Sequence, residues 1–180
     1  IVPDGRELYI DMKEYITDLV MRYEEMRGIE LIPTDTPICV DVRREVLPPD
    51  SSPPSNSVMK MAQKGIGGAL WVARCARYDI SYAVSALASR VHSWNDLCTA
   101  QMDRLFGYLK KTPGMGMRMY IHDDAALHNI KYDLHTDADF SSPRSQGGYH
   151  AVICGPGHTF MPFAWGSSHQ NIGADSSAAS

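Results

Sequence analysis

The feature that most constrains this chain is a change in the spacing of its apolar residues between Thr112 and Met117. Before Thr112, apolar side chains recur every three or four positions, which is the period of one helix face. After Gly116 they alternate with other residues, as Met117, Met119 and Ile121 do, which is the period of a β-strand. The sequence therefore predicts an α+β fold, with helices first and an antiparallel β-meander after them.

The helical part contains four segments with this spacing. They are residues 12–26, 58–77, 80–92 and 95–111. Gly28 is predicted to end the first helix, and Asp79 to cap the third. The aromatic side chains of Trp71, Tyr82 and Trp94 are expected to pack in the core.

The β part contains five candidate strands, of which the first two alternate clearly. They are residues 117–121, 130–136, 148–154, 160–165 and 168–172. Asp175 precedes a short run that is typical of a capped helix start. Six prolines in residues 32–57 predict a linker, so the main boundary is placed near Pro54. The predicted parts are residues 1–57, 58–114 and 115–180.

Charge is distributed unevenly along the chain. Residues 1–55 hold 6 Lys/Arg and 12 Asp/Glu, residues 56–118 hold 9 and 3, and residues 119–180 hold 2 and 6. The middle block thus carries an excess of six positive charges, although the whole chain carries a net charge of -4. Such a block can follow a phosphate backbone, and a solvated helix face is the alternative explanation.

The four cysteines, Cys39, Cys75, Cys98 and Cys154, are too widely spaced for a zinc knuckle. They are interpreted as reduced thiols of a cytosolic or nuclear protein. The chain has no apolar run of about 18 residues and no signal-peptide layout, so we expect a soluble protein without a membrane partner.

Three blocks, in order, resemble copia-type retrotransposon Pol polyproteins. The first is IGGALWVARCARYDISYAVSALASRV (residues 66–91), followed by RLFGYLKKTPGMGM (residues 104–117). The second is LHTDADFSSPRSQGGYHAVICG, and the third is PFAWGSSHQNIGADSSAAS. They are similar to the C-terminal region of the reverse transcriptase and the opening strands of its RNase H domain. The chain departs from the family at Tyr78, where proline is usual, at His169, where lysine is usual, and at residues 178–180.

The resemblance implies cleavage of the RNA strand of an RNA–DNA hybrid by two magnesium ions. Asp137, in HTDADF, matches the family's first metal-binding and catalytic carboxylate, and Asp139 is expected to share its sheet face. The family's glutamate would follow Ser180, and its later aspartates are not in this chain. The chain alone is therefore predicted to bind no magnesium pair and to lack RNase H activity.

The helical block corresponds in the family to the region that grips the template–primer duplex. Arg74, Arg77, Lys110 and Lys111 are the candidates for phosphate contact, which gives affinity without reading sequence. The rest of the Pol polyprotein is the other expected partner. The alternative from another class is a non-catalytic nucleic-acid-binding or structural remnant of the element.

Two further patterns are not interpreted as functional sites. His122, Asp123, Asp124 and His128 form a metal cluster only if a loop gathers them, and a polar turn between strands is the preferred account. The sequence GSSH, residues 166–169, lacks the glycine pattern of a serine-hydrolase elbow.

Overall fold

The structure, a computed structural model, describes residues 5–39, 42, 54–139 and 146–169. The helices found there are α1 (Lys13–Arg27), α2 (Asn56–Cys75), α3 (Ser81–Ala88) and α4 (Asp96–Lys111). The strands are β1 (Gly5–Ile10), β2 (Met117–His122), β3 (Lys131–Asp139), β4 (Gln146–Cys154) and β5 (Phe160–His169). None of these helices is long and apolar enough to span a bilayer.

The chain divides into two compact units. The helical unit runs from Tyr9 to Met117, and the described part of the sheet unit comprises residues 5–8, 118–139 and 146–169. The boundary predicted near Pro54 falls inside the helical unit, because α1 packs against both α2 and α4. Tyr23 of α1 stacks on Phe106 of α4 with 4.0 Å between ring centroids.

The ends of α1 and α4 follow from local sequence. Gly28 takes a left-handed conformation (φ 66°) after α1, and its N–H donates to the Glu24 carbonyl at 2.8 Å. The Asn95 side chain accepts from the Cys98 N–H at 2.8 Å and so caps α4. These contacts satisfy backbone groups that a helix end leaves unpaired, and both predicted helices are confirmed.

The third predicted helix is shorter than residues 80–92. It is broken into a 3₁₀ turn at Tyr78–Ile80, α3 itself, and a second 3₁₀ turn at Val91–Ser93. Asp79 does not cap α3, because its carboxylate is taken by the side chains of Arg77 and Tyr108.

Small residues on α2 allow its neighbours to approach closely. A methyl group on Gly65 would overlap the end of Met102 in α4, and one on Gly68 would overlap Leu19 in α1. The core of the helical unit is built on this face of α2. It includes Ile16, Val20, Tyr23, Ala62, Ala69, Val72, Val84, Leu87, Met102, Leu105, Phe106 and Leu109.

The five strands form one sheet in the order β1-β2-β5-β4-β3. β3, β4 and β5 are consecutive antiparallel neighbours, as predicted for a meander, with a register shift between Ala151 and Val152. β1 was not predicted. The strand expected at residues 168–172 overlaps the end of β5, and the helix start expected after Asp175 lies outside the described residues.

Candidate nuclease strand and candidate nucleic-acid interface

Asp137 lies on β3, directly opposite Gly148 of β4. The residue is exposed, and its Oδ1 accepts a hydrogen bond from the N–H of the next residue, Ala138, at 2.9 Å. The alternation of a strand puts Asp133 and His135 on the same face of β3 as Asp137. The side chain of Asp139, which was expected to join them, lies outside the described part of the chain.

The described residues do not fit a two-magnesium site. Such a site gathers several carboxylate oxygens around each ion, usually from different elements. Among the residues that the structure describes, no group of three or more His, Cys, Asp or Glu could hold a metal ion. His122 and Asp124 do approach each other at 3.5 Å, but Asp123 and Asp124 belong to a turn after β2. Asp137 therefore contributes one carboxylate, which is too few to hold two magnesium ions.

Arg77, a predicted phosphate contact, is 1% exposed. Its Nε and Nη2 donate to the two carboxylate oxygens of Asp79 at 3.0 and 2.9 Å, and its Nη1 donates to the Thr112 carbonyl at 2.7 Å. The guanidinium also lies over the Tyr108 ring, 5.3 Å from its centroid. Phosphate contact does not fit this position, because the group has no surface from which to reach a phosphate. Arg77 instead joins the C-terminal ends of α2 and α4.

The charge of Arg77 also acts on Asp79. Burial opposes ionisation of the Asp79 carboxyl, but hydrogen bonds from Arg77 and Tyr108 outweigh it and hold the pKa of Asp79 below its ordinary value. The Asp79 carboxyl is thus ionised at neutral pH. A buried guanidinium with a carboxylate partner and carbonyl acceptors is the arrangement in which a buried charge is tolerated.

Lys110 and Lys111, at the end of α4, are both engaged by acidic residues. Lys110 Nζ donates to Glu24 Oε1 at 2.8 Å and to the Leu31 carbonyl at 3.1 Å. The hydrogen bond from Lys110 lowers the pKa of Glu24. Lys111 pairs with Asp35, whose pKa is lowered in turn. Their charges are therefore largely offset within the helical unit.

Arg74, the remaining candidate, is exposed in the last turn of α2. Two lysines, Lys60 and Lys64, lie on the same side of this helix and are also exposed. No ion pair with a carboxylate is found for these three cations among the described residues. They are exposed cations of the basic block that remain available to a partner.

Two other residues complete this surface. At about 100° per residue, positions 60, 64, 67, 71 and 74 fall within about 80° of the helix circumference. Gly67 has no atom within 4 Å of where a Cβ would stand, and Trp71 is 56% exposed. We call these five residues the α2 basic face: Lys60, Lys64, Gly67, Trp71 and Arg74.

The expectation that Trp71 and Tyr82 pack in the core is wrong, since both side chains are exposed. For Trp94 the expectation is confirmed, because only 3% of this residue is exposed. Trp71 points away from the buried side of α2, which explains its exposure. The spacing of Lys60, Lys64 and Arg74 around Trp71 was the sequence signal that could have identified this surface.

Comparison with known proteins gives one relative to report. The chain is 27% identical, over 177 residues and 94% of its length, to a retrovirus-related Pol polyprotein from transposon RE1 of Arabidopsis thaliana. This likeness supports an origin in a retrotransposon Pol polyprotein. The chain spans about a tenth of the length of that relative. No family model and no solved structure matches this chain.

Proposed function

We propose that this chain is part of a copia-type Pol polyprotein, covering the C-terminal region of the reverse transcriptase and the first part of an RNase H-like domain. Its helical unit binds a nucleic-acid duplex through the α2 basic face. In the parent protein the duplex is the template–primer or the RNA–DNA hybrid. The observation that carries the proposal of duplex binding is the set of three exposed cations around Trp71 on one face of α2.

The dimensions of the α2 basic face suit a duplex. From Lys60 to Arg74 the helix rises about 21 Å, at 1.5 Å per residue. One strand of a duplex presents a phosphate about every 3.4 Å, so several phosphates lie within reach of this length. Contacts of this kind give affinity and register without reading sequence, which suits a polymerase that must move along any template.

Gly67 and Trp71 add contacts that do not depend on charge to the α2 basic face. The open surface at Gly67 lets a nucleic-acid backbone approach the helix closely. Trp71 offers a large apolar ring with an N–H donor, which can lie against sugars or stack on an exposed base. A solvated helix face would carry the charges, but it gains nothing from a half-exposed tryptophan between them.

The first test compares two double variants that remove equal charge. Lys64→Gln with Arg74→Gln alters the α2 basic face, and Lys13→Gln with Arg22→Gln alters exposed cations of α1. Binding to a labelled RNA–DNA hybrid is measured by fluorescence anisotropy at several salt concentrations. The α2 variant should bind at least about tenfold more weakly, and its log–log salt slope should flatten by about two, since each phosphate contact contributes about 0.9.

The α1 variant should keep the slope of the unmodified chain. If the two double variants lost affinity equally, the loss would be due to net charge alone, and the α2 basic face would not be the binding surface. Trp71→Ala separates shape from charge, because it should weaken binding while leaving the salt slope unchanged.

The alternative is a non-catalytic binding or structural remnant of the element. It is favoured by the lack, within the described residues, of any group of three or more His, Cys, Asp or Glu that could hold a metal ion. The two candidates differ in whether a longer protein containing this chain cuts the hybrid, and a purely structural remnant would also lack duplex binding by the helical unit. If the longer protein cleaves the hybrid and Asp137→Asn abolishes that cleavage, the chain is part of an enzyme and not a non-catalytic remnant.

A further inference from the structure

A segment of irregular backbone is fastened along α4 by hydrogen bonds. Residues 30–39 contain no helix or strand. The Thr34 N–H donates to the Gly107 carbonyl at 3.3 Å, and the Cys39 N–H donates to Oε1 of Gln101 at 3.0 Å. The segment, called the 31–39 segment below, therefore runs along α4 between these two contacts.

Between the two contacts, Arg104 of α4 binds the hydroxyl group of Thr36. Its Nε and Nη2 both donate to Thr36 Oγ1, at 3.2 and 2.7 Å. No described carboxylate forms an ion pair with Arg104, and the neighbouring Asp35 is engaged by Lys111. A guanidinium edge that suits two anionic oxygens is thus bound to a single neutral oxygen.

The position of Thr36 makes its hydroxyl accessible to a modifying enzyme. Thr36 is exposed and directly precedes Pro37. A residue before proline favours extended backbone, which is the conformation in which protein kinases bind their substrates. Thr36 Oγ1 accepts from Arg104 and donates to no residue that the structure describes. Its proton is therefore free to be exchanged for a phosphoryl group.

A second threonine–proline pair, Thr112–Pro113, provides a contrast. Thr112 Oγ1 donates to the Tyr108 carbonyl at 2.8 Å and accepts from Nη2 of the buried Arg77 at 2.9 Å. Both hydrogen-bonding roles of this hydroxyl are used, and a phosphate there would break contacts that join α2 to α4. The same dipeptide is thus open to modification at Thr36 and closed to it at Thr112.

We propose that Thr36 is a phosphorylation site and that Arg104 holds the phosphate. A protein kinase of the proline-directed class transfers the terminal phosphoryl group of ATP. Oγ1 of Thr36 bonds to phosphorus, the bond from phosphorus to the ADP oxygen breaks, and the hydroxyl proton passes to a base of the kinase.

The modified side chain matches its surroundings. The phosphate carries about 1.5 to 2 negative charges at neutral pH and three acceptor oxygens. Two of these oxygens accept from Nε and Nη2 of Arg104 in a bidentate pair, and such bonds are about twice as strong as those to a neutral oxygen. Lys111 offsets the charge of Asp35, which limits its repulsion of the phosphate. Phosphorylation therefore fastens the 31–39 segment more firmly to α4.

The first test locates the modification. The kinase is one that phosphorylates an unfolded peptide of residues 30–42, and the folded 180-residue chain is treated with it and ATP. Phosphopeptide mapping should find phosphate on Thr36 and none on Thr112, and Thr36→Val should remove the signal. The proposal is overturned if no kinase of this class modifies the peptide, if Thr36 stays unmodified in the folded chain, or if Thr112 is modified as fast.

The second test asks whether Arg104 holds the phosphate. Hydrogen exchange of the Thr34 and Cys39 amides reports how firmly the 31–39 segment is attached. Phosphorylation should slow this exchange by about fivefold or more, because hydrogen bonds to a charged group are stronger, and a phosphatase should reverse the change.

Arg104→Gln should abolish the slowing, whereas Arg22→Gln, at an exposed arginine of α1, should leave it intact. Circular dichroism checks that both variants keep their fold. Exchange that is unchanged by phosphorylation, or that slows equally with Arg104→Gln, overturns the assignment of Arg104 as the group that holds the phosphate.

Discussion

Asp79 holds the guanidinium of Arg77 through both of its carboxylate oxygens, with Nε–Oδ1 and Nη2–Oδ2 distances of 3.0 and 2.9 Å. The two residues are only two positions apart, and Arg77 extends the link to the end of α4 through the Thr112 carbonyl. Tyr108 of α4 donates to the same carboxylate at 2.8 Å. One ion pair therefore joins the ends of two helices that are separated in sequence by α3.

Removing one partner of this pair should destabilise the helical unit strongly. Asp79→Ala leaves the buried Arg77 charge without a counter-ion, which costs about 3 kcal/mol of the free energy of unfolding. Urea denaturation followed by tryptophan fluorescence measures the loss. The control is Asp18→Ala, which breaks the exposed Arg22–Asp18 pair of α1 and should cost less than about 0.5 kcal/mol. Similar losses in the two variants would contradict the structural role given to Arg77.

The same pair should make stability depend on acid. The pKa of Asp79 is lower in the folded chain than its ordinary value of about 4, so the unfolded chain binds the proton first as pH falls. The stabilisation is therefore complete above about pH 4 and is lost as pH falls through the lower folded pKa. Asp79→Asn should remove this part of the pH dependence. Unfolding free energies of both proteins, measured from neutral pH into the acid range, would converge at low pH if Asp79 is responsible.

Two helix-interior glycines should respond oppositely to the same substitution. Gly67→Ala should stabilise the helical unit by about 0.5–1 kcal/mol, because alanine favours helix and nothing lies within 4 Å of the added methyl group. Gly107→Ala should destabilise it by about 1–3 kcal/mol, since the methyl group would overlap the Ile32 backbone carbonyl. Thermal unfolding of the two variants checks both signs. Stabilisation by Gly107→Ala would mean that the segment at Ile32 does not pack on α4.

Local sequence predicted the helices well where the signals were strong. The periods of α1 and α4, together with Gly28 as the stop of α1, gave both helices to within two residues, whereas the cap at Asn95 was not predicted. α3 was overestimated at its C-terminal end, where the α-helix stops at Ala88 and a 3₁₀ turn follows at Val91–Ser93. β1 was missed because an edge strand is defined by a partner, and β2 begins more than a hundred residues later.

The candidate interface was predicted only in part, because charge in a sequence does not reveal its partners. Arg74 and Arg77 are three positions apart, yet one is exposed and the other fully buried. Lys110 and Lys111 meet Glu24 and Asp35, which lie far away in the sequence and could not be paired with them by inspection.

The last prediction concerns catalysis by the chain alone. Two-metal hydrolysis needs several carboxylates around each ion, and Asp137 is exposed on β3 with its Oδ1 engaged by the Ala138 N–H. The purified chain should therefore release no product from a labelled RNA–DNA hybrid in magnesium, while a complete RNase H added to the same reaction cleaves it. Asp133→Asn, on the same strand face, is the matched control for Asp137→Asn. Magnesium-dependent cleavage that disappears with Asp137→Asn and survives Asp133→Asn would show that this strand works without further carboxylate ligands.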